Sequence, residues 1–286
     1  LAVSIDTYNQ GTHYINFKNP DLVIKKIIRS SISDLICKGV KPKYIFLSGS
    51  GNEKIFNKKN LKLIAKSIFQ EQKKFNIKLS GGDTVYSTKS SFTVVVTGFS
   101  KNIVKRNKAK NNDDIYVTGN LGDSYIGLKV LKKKIKLTQK LNKYFIKKYY
   151  LPSLPYNLQN KLAKYANTSI DISDGIFSDL QKLINKQNLG FKIYLNLIPV
   201  SKNMKSIIKK KNLNIVNLVS RGDDYQVLFT ANKKNRANIR KLSKRINIKI
   251  SHIGEITNQS NDYKIEADNK RLKASKYKGY SHNLKT

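Results

Sequence analysis

Apolar positions in the first hundred residues follow two different periods. Residues 21–39 and 60–76 place an apolar side chain at every third or fourth position, which is the spacing of an amphipathic helix. The segments between them are short, rich in β-branched residues and typical of strands. These predicted strands cover residues 1–5, 43–48, 77–80 and 91–100. The first part of the chain is therefore predicted to alternate strands with helices.

The same alternation resumes after residues 103–114, a basic and asparagine-rich stretch that we interpret as the connection between two domains. Further strands are predicted at residues 115–118, 191–195, 227–230 and 248–253, and further helices at 124–131, 138–150, 176–184 and 233–246. We expect an α/β (α+β) fold with an N-terminal domain over residues 1–105 and a C-terminal domain over residues 106–286.

Acidic residues are scarce, with 18 Asp and Glu against 56 Lys and Arg, and the most compact acidic segment is Ile170-Asp-Ile-Ser-Asp-Gly175. Two carboxylates three residues apart repel each other unless a cation lies between them. An ordinary helix N-cap by Ser173 or Asp174 also explains this segment. Related acids recur at Asp6, Asp34, Asp83, Asp223 and Asp224, close to predicted strands, helices or glycines. This recurrence favours a cation site.

The net charge of +38 would ordinarily indicate a nucleic acid or an anionic membrane as partner. Here 49 of the 56 basic residues are lysines spread along the whole chain, whereas arginine, the better ligand for phosphates and bases, is rare. We therefore expect no specific nucleic acid and no membrane partner. The single cysteine, Cys37, excludes an internal disulfide framework, and no apolar run is long enough to cross a bilayer. A cytoplasmic protein is expected.

Nine stretches, in the same order along the chain, resemble the thiamine-monophosphate kinase family, whose superfamily also contains aminoimidazole ribonucleotide synthetase. They are Asp6-Thr7 with Gly11 and His13, Ser33-Asp34 with Gly39 and Pro42, Gly81-Gly82-Asp83-Thr84, Arg106, Ile115 to Gly119, Asp171 to Gly175, Gly222 to Tyr225, Ile253-Gly254, and Lys278-Gly279-Tyr280 with His282. The resemblance implies the two-domain aminoimidazole ribonucleotide synthetase-like fold, in which the N-terminal α/β half forms a homodimer and a C-terminal α/β half packs beside it.

The resemblance also implies an enzyme that phosphorylates thiamine monophosphate with ATP to give thiamine diphosphate, by direct transfer assisted by several Mg²⁺ ions. The implied metal ligands are Asp6, Asp34, Asp83, Asp171 and Asp174. The positions implied to contact ATP are Ser4, Gly82, Arg106 and Ser173. The positions implied to line the thiamine monophosphate pocket are His13, Asp223 and Tyr280.

Three features depart from the family pattern. The Asp-rich motif that opens the family is absent and the chain begins at Leu1, so we expect that sequence is missing upstream. Asp223 stands where the family usually has Glu, and Ile5 stands where many relatives have Thr. Two alternatives stay open, namely another ATP-using synthetase of the superfamily and a basic, non-catalytic RNA-associated relative. Binding to RNA that weakens steeply with added salt would identify the second alternative.

Overall fold

The N-terminal half forms a four-stranded sheet in this computed structural model, which describes residues 1–267, 270–277 and 279–281. The strands lie in the order β1-β4-β2-β3, and only β2 and β3 run parallel to each other. Their bounds are Ala2–Asn9 for β1, Lys41–Gly51 for β2, Lys78–Tyr86 for β3 and Ser91–Phe99 for β4. Two helices, α1 (Pro20–Ile36) and α2 (Lys58–Phe75), complete this half.

The C-terminal half forms a seven-stranded sheet in the order β11-β10-β7-β9-β5-β8-β6, in which only β10 and β7 are parallel. The strands are β5 (Asp114–Thr118), β6 (Thr168–Asp171), β7 (Gly190–Tyr194), β8 (Val227–Ala231), β9 (Ile250–Thr257), β10 (Tyr263–Ala267) and β11 (Lys270–Lys273). The helices are α3 (Asp123–Leu131), α4 (Gln139–Tyr150), α5 (Gln159–Leu162), α6 (Ile176–Ile184), α7 (Lys202–Lys211), α8 (Ile215–Val219) and α9 (Arg236–Ile246). This mixed architecture confirms the predicted fold class.

Helix α1 lies at the centre of the molecule, with buried side chains around almost its whole circumference. It begins at Pro20, whose fixed φ suits the first helical position, and Asp21 adds a favourable charge to the first turn. One core cluster combines α1 with apolar residues from both sheets, including Ile45 and Val94 of the first and Phe229 of the second. The division into domains at residue 106 falls between β4 and β5 and stays a prediction.

Three predicted boundaries were wrong, because strands β1, β2 and β3 continue past residues 5, 48 and 80, where the predicted strands end. Strand β1 extends to Asn9, so Asp6 lies within the strand, opposite Val94, and does not end it. The glycines at 49–51 belong to β2, and Gly82 pairs with Leu47 inside β3. A Cβ atom on Gly82 would lie 2.0 Å from the carbonyl oxygen of Leu47, so this glycine permits a close approach of two strands.

No helix in the described ranges is long and apolar enough to cross a membrane. The motif that we expected at Lys278 to His282 is only partly described, because Lys278 and His282 lie outside the described residues.

A buried ion pair joins α1 to α2. Arg29 donates two hydrogen bonds of 2.8 Å to the carboxylate oxygens of Glu71 and a third to the carbonyl of Pro152. The exposed fractions of the two charged side chains are 7% and 2%. Since removing one member of a buried pair leaves the other charge without compensation, both helices depend on this contact.

We expect Glu71→Gln to lower the free energy of unfolding by about 3 kcal/mol, because a buried guanidinium would lose its counter-charge. Glu53→Gln, at an exposed position, is the matched control and is expected to change stability by less than about 0.5 kcal/mol. Urea denaturation of both variants measures the difference. Equal stabilities would contradict a structural role for the ion pair.

Candidate active site

Three carboxylates from distant parts of the chain meet between the two sheets. Asp6 comes from the middle of β1, Asp34 from the last turn of α1 and Asp171 from the end of β6. Ser4 Oγ donates a 2.5 Å hydrogen bond to Asp34 Oδ2, and Ser33 Oγ donates one of the same length to Asp171 Oδ2. The two serine hydroxyls therefore hold two of the acids in place. We call Asp6, Asp34 and Asp171 the acid cluster.

Burial and mutual repulsion raise the pKa of each member of the acid cluster. Desolvation raises the pKa of Asp34 to about 7, and the neighbouring carboxylate of Asp6 adds to the rise. Desolvation likewise raises the pKa of Asp171 to about 7, with a further contribution from Asp34. The pKa of Asp6 is also raised, mainly by burial. A cation at this place would relieve both causes, because it would compensate the charges that the buried acids carry.

The segment after β6 forms a loop that leads into α6. The sequence allowed Ser173 or Asp174 as the N-cap of this helix, but neither residue caps it. The N-cap is Gly175, which has no side chain to accept a hydrogen bond. Instead, Asp179 Oδ2, from the first turn of α6, accepts hydrogen bonds of 3.0, 2.9 and 3.0 Å from the backbone N–H groups of residues 173, 174 and 175. Asp174 forms an ion pair with Lys182. The loop is thus fixed by an acid that lies after it in the chain.

A cleft of about 660 Å³ opens on one side of the acid cluster. All three residues predicted to bind thiamine monophosphate line it, together with the acid cluster, Ser173 and Asp174. The backbone N–H of Asp223 donates to the carbonyl of Ser173, and that of Tyr280 donates to the carbonyl of Asp174, both at 2.9 Å. A Cβ atom on Gly222 would lie only 1.6 Å from the carbonyl oxygen of Ser173, so glycine is required where these two loops meet. His13, Asp223 and Tyr280 are therefore brought together.

A second cleft, of about 460 Å³, adjoins the first at the acid cluster. It is lined by Ser4, Arg106 and Ser173, three of the four residues predicted to contact ATP. Asp34 and Asp171 line this cleft as well as the first one. The two clefts consequently share a wall that contains two buried acids.

Two predicted site residues, Gly82 and Asp83, lie away from the acid cluster in the fold. Gly82 and Asp83 belong to β3, the edge strand of the first sheet, and they line a different surface depression. Asp83 pairs with Ser48, Ser48 with Thr93, and Thr93 with Thr7 of β1. Three strand spacings therefore separate Asp83 from β1, which is about 14 Å across the sheet. Within one chain, Asp83 is not part of the acid cluster.

Sequence reasoning did not identify several residues that shape the site. Asp179 lies four residues after Gly175, in the first turn of a predicted helix. An acid at such a position is a recognisable candidate acceptor for the free backbone N–H groups at the start of a helix. Lys182 is also close enough in sequence to be paired with Asp174. Tyr149, which lines the first cleft, and the buried Lys26 gave no local signal, because each acts on residues more than a hundred positions away.

The acid cluster has one property expected of a metal site and lacks another. Oδ2 of Asp6 is buried without a hydrogen-bond partner in the described structure. However, no three His, Cys, Asp or Glu side chains of the described residues are arranged as a complete ligand set for a metal ion. Mg²⁺ is commonly held by one or two carboxylates, with the remaining positions taken by waters and substrate phosphates. The cluster fits that incomplete mode of binding.

Comparisons with known proteins identify the family of the chain. The family model for "AIR synthase related protein, N-terminal domain" matches residues 1–101. The thiamine-monophosphate kinase of Buchnera aphidicola subsp. Acyrthosiphon pisum is 35% identical to this chain, over 99% of it and 87% of the relative. The chain belongs to the thiamine-monophosphate kinase family. Another member, from Buchnera aphidicola subsp. Schizaphis graminum, is 36% identical over 99% of this chain and 87% of its own length.

A solved structure of the same family has the same fold. It is AaThiL complexed with AMPPCP and TMP, and it superimposes with a TM-score of 0.86 over 98% of this chain and 86% of its own, at 25% sequence identity. The fold and the family that the sequence motifs indicated are both confirmed.

Because Asp171 has a raised pKa when folded, the metal-free protein is expected to lose stability as the pH rises from about 4 to about 7. The protonated acid is tolerated inside the fold, whereas the carboxylate carries the desolvation penalty, on the order of 2–4 kcal/mol at 1.36 kcal/mol per pKa unit. Asp171→Asn removes this penalty, so it should be more stable than the wild type at pH 8 in EDTA and nearly equal to it at pH 4.

Urea denaturation at the two pH values measures this effect. Asp21→Asn, a partly exposed acid at the opposite end of α1, is the matched control and should not become more stable at pH 8. An Asp171→Asn variant that is equally destabilised at both pH values would show that the carboxylate carries no burial penalty.

Proposed function

We propose that this chain transfers the γ-phosphate of ATP to thiamine monophosphate, which gives thiamine diphosphate and ADP. The observation that carries the proposal is the wall that the two clefts share, in which Asp34 and Asp171 face both sides. Two anionic substrates that enter from opposite sides would bring their phosphates together at this wall. Phosphoryl transfer depends mainly on positioning and on neutralising charge, and this arrangement serves both. The complex of AaThiL with AMPPCP and TMP supports it.

Each cleft offers groups suited to one substrate. We call the second cleft the nucleotide cleft. There Arg106 is an exposed fork for phosphate oxygens, the hydroxyl of Ser4 donates to Asp34, and Ser173 forms part of the lining. In the first cleft, Asp223 provides a negative charge for the positive thiazolium ring of thiamine monophosphate. An oxygen of the substrate phosphate then attacks the γ-phosphorus directly, and the bond to ADP breaks. No side chain needs to become phosphorylated.

Magnesium is the metal that the donor set fits best, since carboxylate oxygens without cysteine or histidine suit this hard cation. Asp6, Asp34 and Asp171 would supply one or two carboxylate ligands to an ion, with waters and substrate phosphates in its remaining positions, and Asp174 would become available after release from Lys182. When bound, Mg²⁺ would neutralise the phosphate oxygens that the buried acids repel. The buried, unpartnered Oδ2 of Asp6 and the raised pKa values of the acid cluster support this assignment.

A homodimer would bring Asp83 to the site from a second chain. Strands β1 and β3 are the two edges of the first sheet and run in the same direction, so β3 of one chain can pair with β1 of another and close a barrel around a two-fold axis. Asp83 of the partner subunit would then lie one strand spacing from β1, which contains Asp6. A dimer in which β1 pairs with β1 of the partner, or β3 with β3 of the partner, would leave Asp83 far from the acid cluster.

The open face of the first sheet supports the same dimer. Val3, Ile5 and Phe46 are exposed on that face, with exposed fractions of 56%, 67% and 39%. Strand β3 is exposed along nearly its whole length, and unpaired edges of this kind tend to associate. Pairing β3 with β1 of the partner covers both the free edges and the apolar face.

We propose that the reaction takes place in the cytoplasm, which the single cysteine of the chain supports.

We expect Asp171→Asn to lower kcat for thiamine monophosphate phosphorylation by about 100-fold or more, because it removes a charge at the transferring phosphate. Its circular dichroism spectrum should match that of the wild type, since relieving repulsion among like charges does not disturb folding. Asp21→Asn is the matched control and should keep normal turnover. Near-normal turnover by Asp171→Asn would show that the metal assignment is wrong.

Asp83→Asn should also be inactive, and a mixed dimer identifies the chain in which Asp83 acts. A heterodimer of one Asp83→Asn subunit and one Asp171→Asn subunit, isolated through two different tags, contains one intact site if Asp83 acts across the interface. Its activity should reach about half that of the wild-type dimer, because one of two symmetric sites is complete. An inactive heterodimer would place Asp83 in its own chain's site, and a monomer mass in light scattering would contradict the dimer itself.

A further inference from the structure

A lysine is buried beneath the first cleft, where the phosphate chemistry does not need it. Lys26 of α1 has an exposed fraction of 1%, and its Nζ lies 2.9 Å from Oδ2 of Asp223. The same Nζ donates to the carbonyl of Tyr149 at 3.3 Å and lies 3.6 Å from the centre of the Tyr149 ring. Burial lowers the pKa of Lys26, and the neighbouring Asp223 carboxylate opposes that effect. A buried lysine is costly, so its retention calls for partners that use the charge.

Asp223 is held by contacts on both of its oxygens. Oδ1 accepts a 2.9 Å hydrogen bond from the hydroxyl of Tyr225, while Oδ2 faces Lys26. The backbone at Asp223 and at Tyr225 is left-handed, with φ of +68° and +50°, which is unfavourable for a bulky tyrosine. The loop therefore depends on its side-chain contacts to keep this shape. A carboxylate oxygen can accept two hydrogen bonds, and each oxygen of Asp223 has one of these contacts here. Asp223 therefore keeps acceptor capacity for a ligand in the cleft.

The influence of Lys26 extends to a second side of the cleft through Tyr149. The hydroxyl of Tyr149 donates a 3.2 Å hydrogen bond to the carbonyl of His13, and both residues line the cleft. The His13 side chain is further placed by the backbone N–H of Asn9, which donates to its Nδ1 at 2.9 Å. The buried ammonium group of Lys26 thus contacts Asp223 directly. It also contacts Tyr149, which in turn holds the carbonyl of His13.

We propose that Lys26 is a positioning residue for substrate recognition, which fixes the carboxylate of Asp223 and, through Tyr149, the wall that contains His13. The inference rests on the proposed function, because it takes the first cleft as the thiamine monophosphate site. Lys26 itself is too deeply buried to meet the substrate. Its role is to orient the acid that faces the positive ring and to balance the charge of that acid while the cleft is empty.

The test is the substitution Lys26→Met, which keeps most of the volume and removes the charge. We expect the KM for thiamine monophosphate to rise by about tenfold or more, because Asp223 loses Lys26, its partner in a hydrogen-bonded charge pair. The KM for ATP and kcat should change by less than about twofold, because the second cleft and the acid cluster are untouched. Lys25→Met, on the same helix but outside both clefts, is the matched control and should leave all three constants unchanged.

A double-mutant cycle separates positioning from a general structural role. Since Lys26 acts on Asp223 directly and on the His13 wall only through Tyr149, adding Lys26→Met to Asp223→Asn should raise the KM for thiamine monophosphate by no more than about threefold, well below the tenfold rise expected in the wild-type background. This comparison also decides the matter if Lys26→Met alone does not fold, because the double variant contains no unpaired charge. Additive losses in the cycle, or a rise in the KM for ATP equal to that for thiamine monophosphate, would overturn the inference.

The same measurements distinguish failure of this inference from failure of the proposed function. A wild-type protein that does not phosphorylate thiamine monophosphate would overturn the proposed function and this inference with it. An active wild type together with an unchanged KM in Lys26→Met would overturn only the positioning role.

Discussion

The burial of helix α1 between the two halves is the constraint on which the rest of the structure depends. A central helix is easiest to bury when it is apolar, yet α1 has Lys26, Arg29 and Ser33 on buried positions. Each of these polar groups has a partner on a different element, namely the loop before β8, helix α2 and strand β6. Because a buried polar group without a partner costs free energy, these contacts fix how the halves fit around α1. The site is assembled by the same contacts.

The acid cluster exists only because the fold opposes the repulsion within it. Serine hydroxyls donate to Asp34 and Asp171, and tight loop contacts at Gly222 keep the surrounding backbone in place. Even so, burial and neighbouring carboxylates raise the pKa of Asp34 and of Asp171 to about 7, so the fold disfavours their charged forms. Stability is therefore lower than it would be with neutral residues, which is a common feature of sites arranged to bind cations. This cost supports the proposed cation site at the acid cluster.

The sequence predicted more of the site than of its support. Ser4, Asp34, Asp171 and Ser173 were recognisable because short motifs place them next to predicted elements, and the fold brings them together. The pairing of Lys26 with Asp223 was not predictable, since nearly two hundred residues separate them. Asp6 and Gly82 were assigned to strand ends because their neighbours resemble turns, whereas cross-strand hydrogen bonds extend the strands through both. Register of this kind is decided by partner strands, which local patterns do not contain.

The two clefts explain why transfer without a covalent enzyme intermediate suits this protein. A phosphoenzyme would split the transfer into two displacements, in which a side chain is first phosphorylated and then dephosphorylated. Two clefts that adjoin at one wall would allow a single direct displacement between the two substrates. Cys37, the single cysteine of the chain, borders the second cleft but is buried, and burial raises its pKa well above the usual range, so it is not an activated nucleophile. In the proposed function, one substrate would occupy each cleft beside the shared acidic wall. Positioning by α1 and neutralisation at the acid cluster then act on the same pair of phosphates, which is the combination that phosphoryl transfer requires.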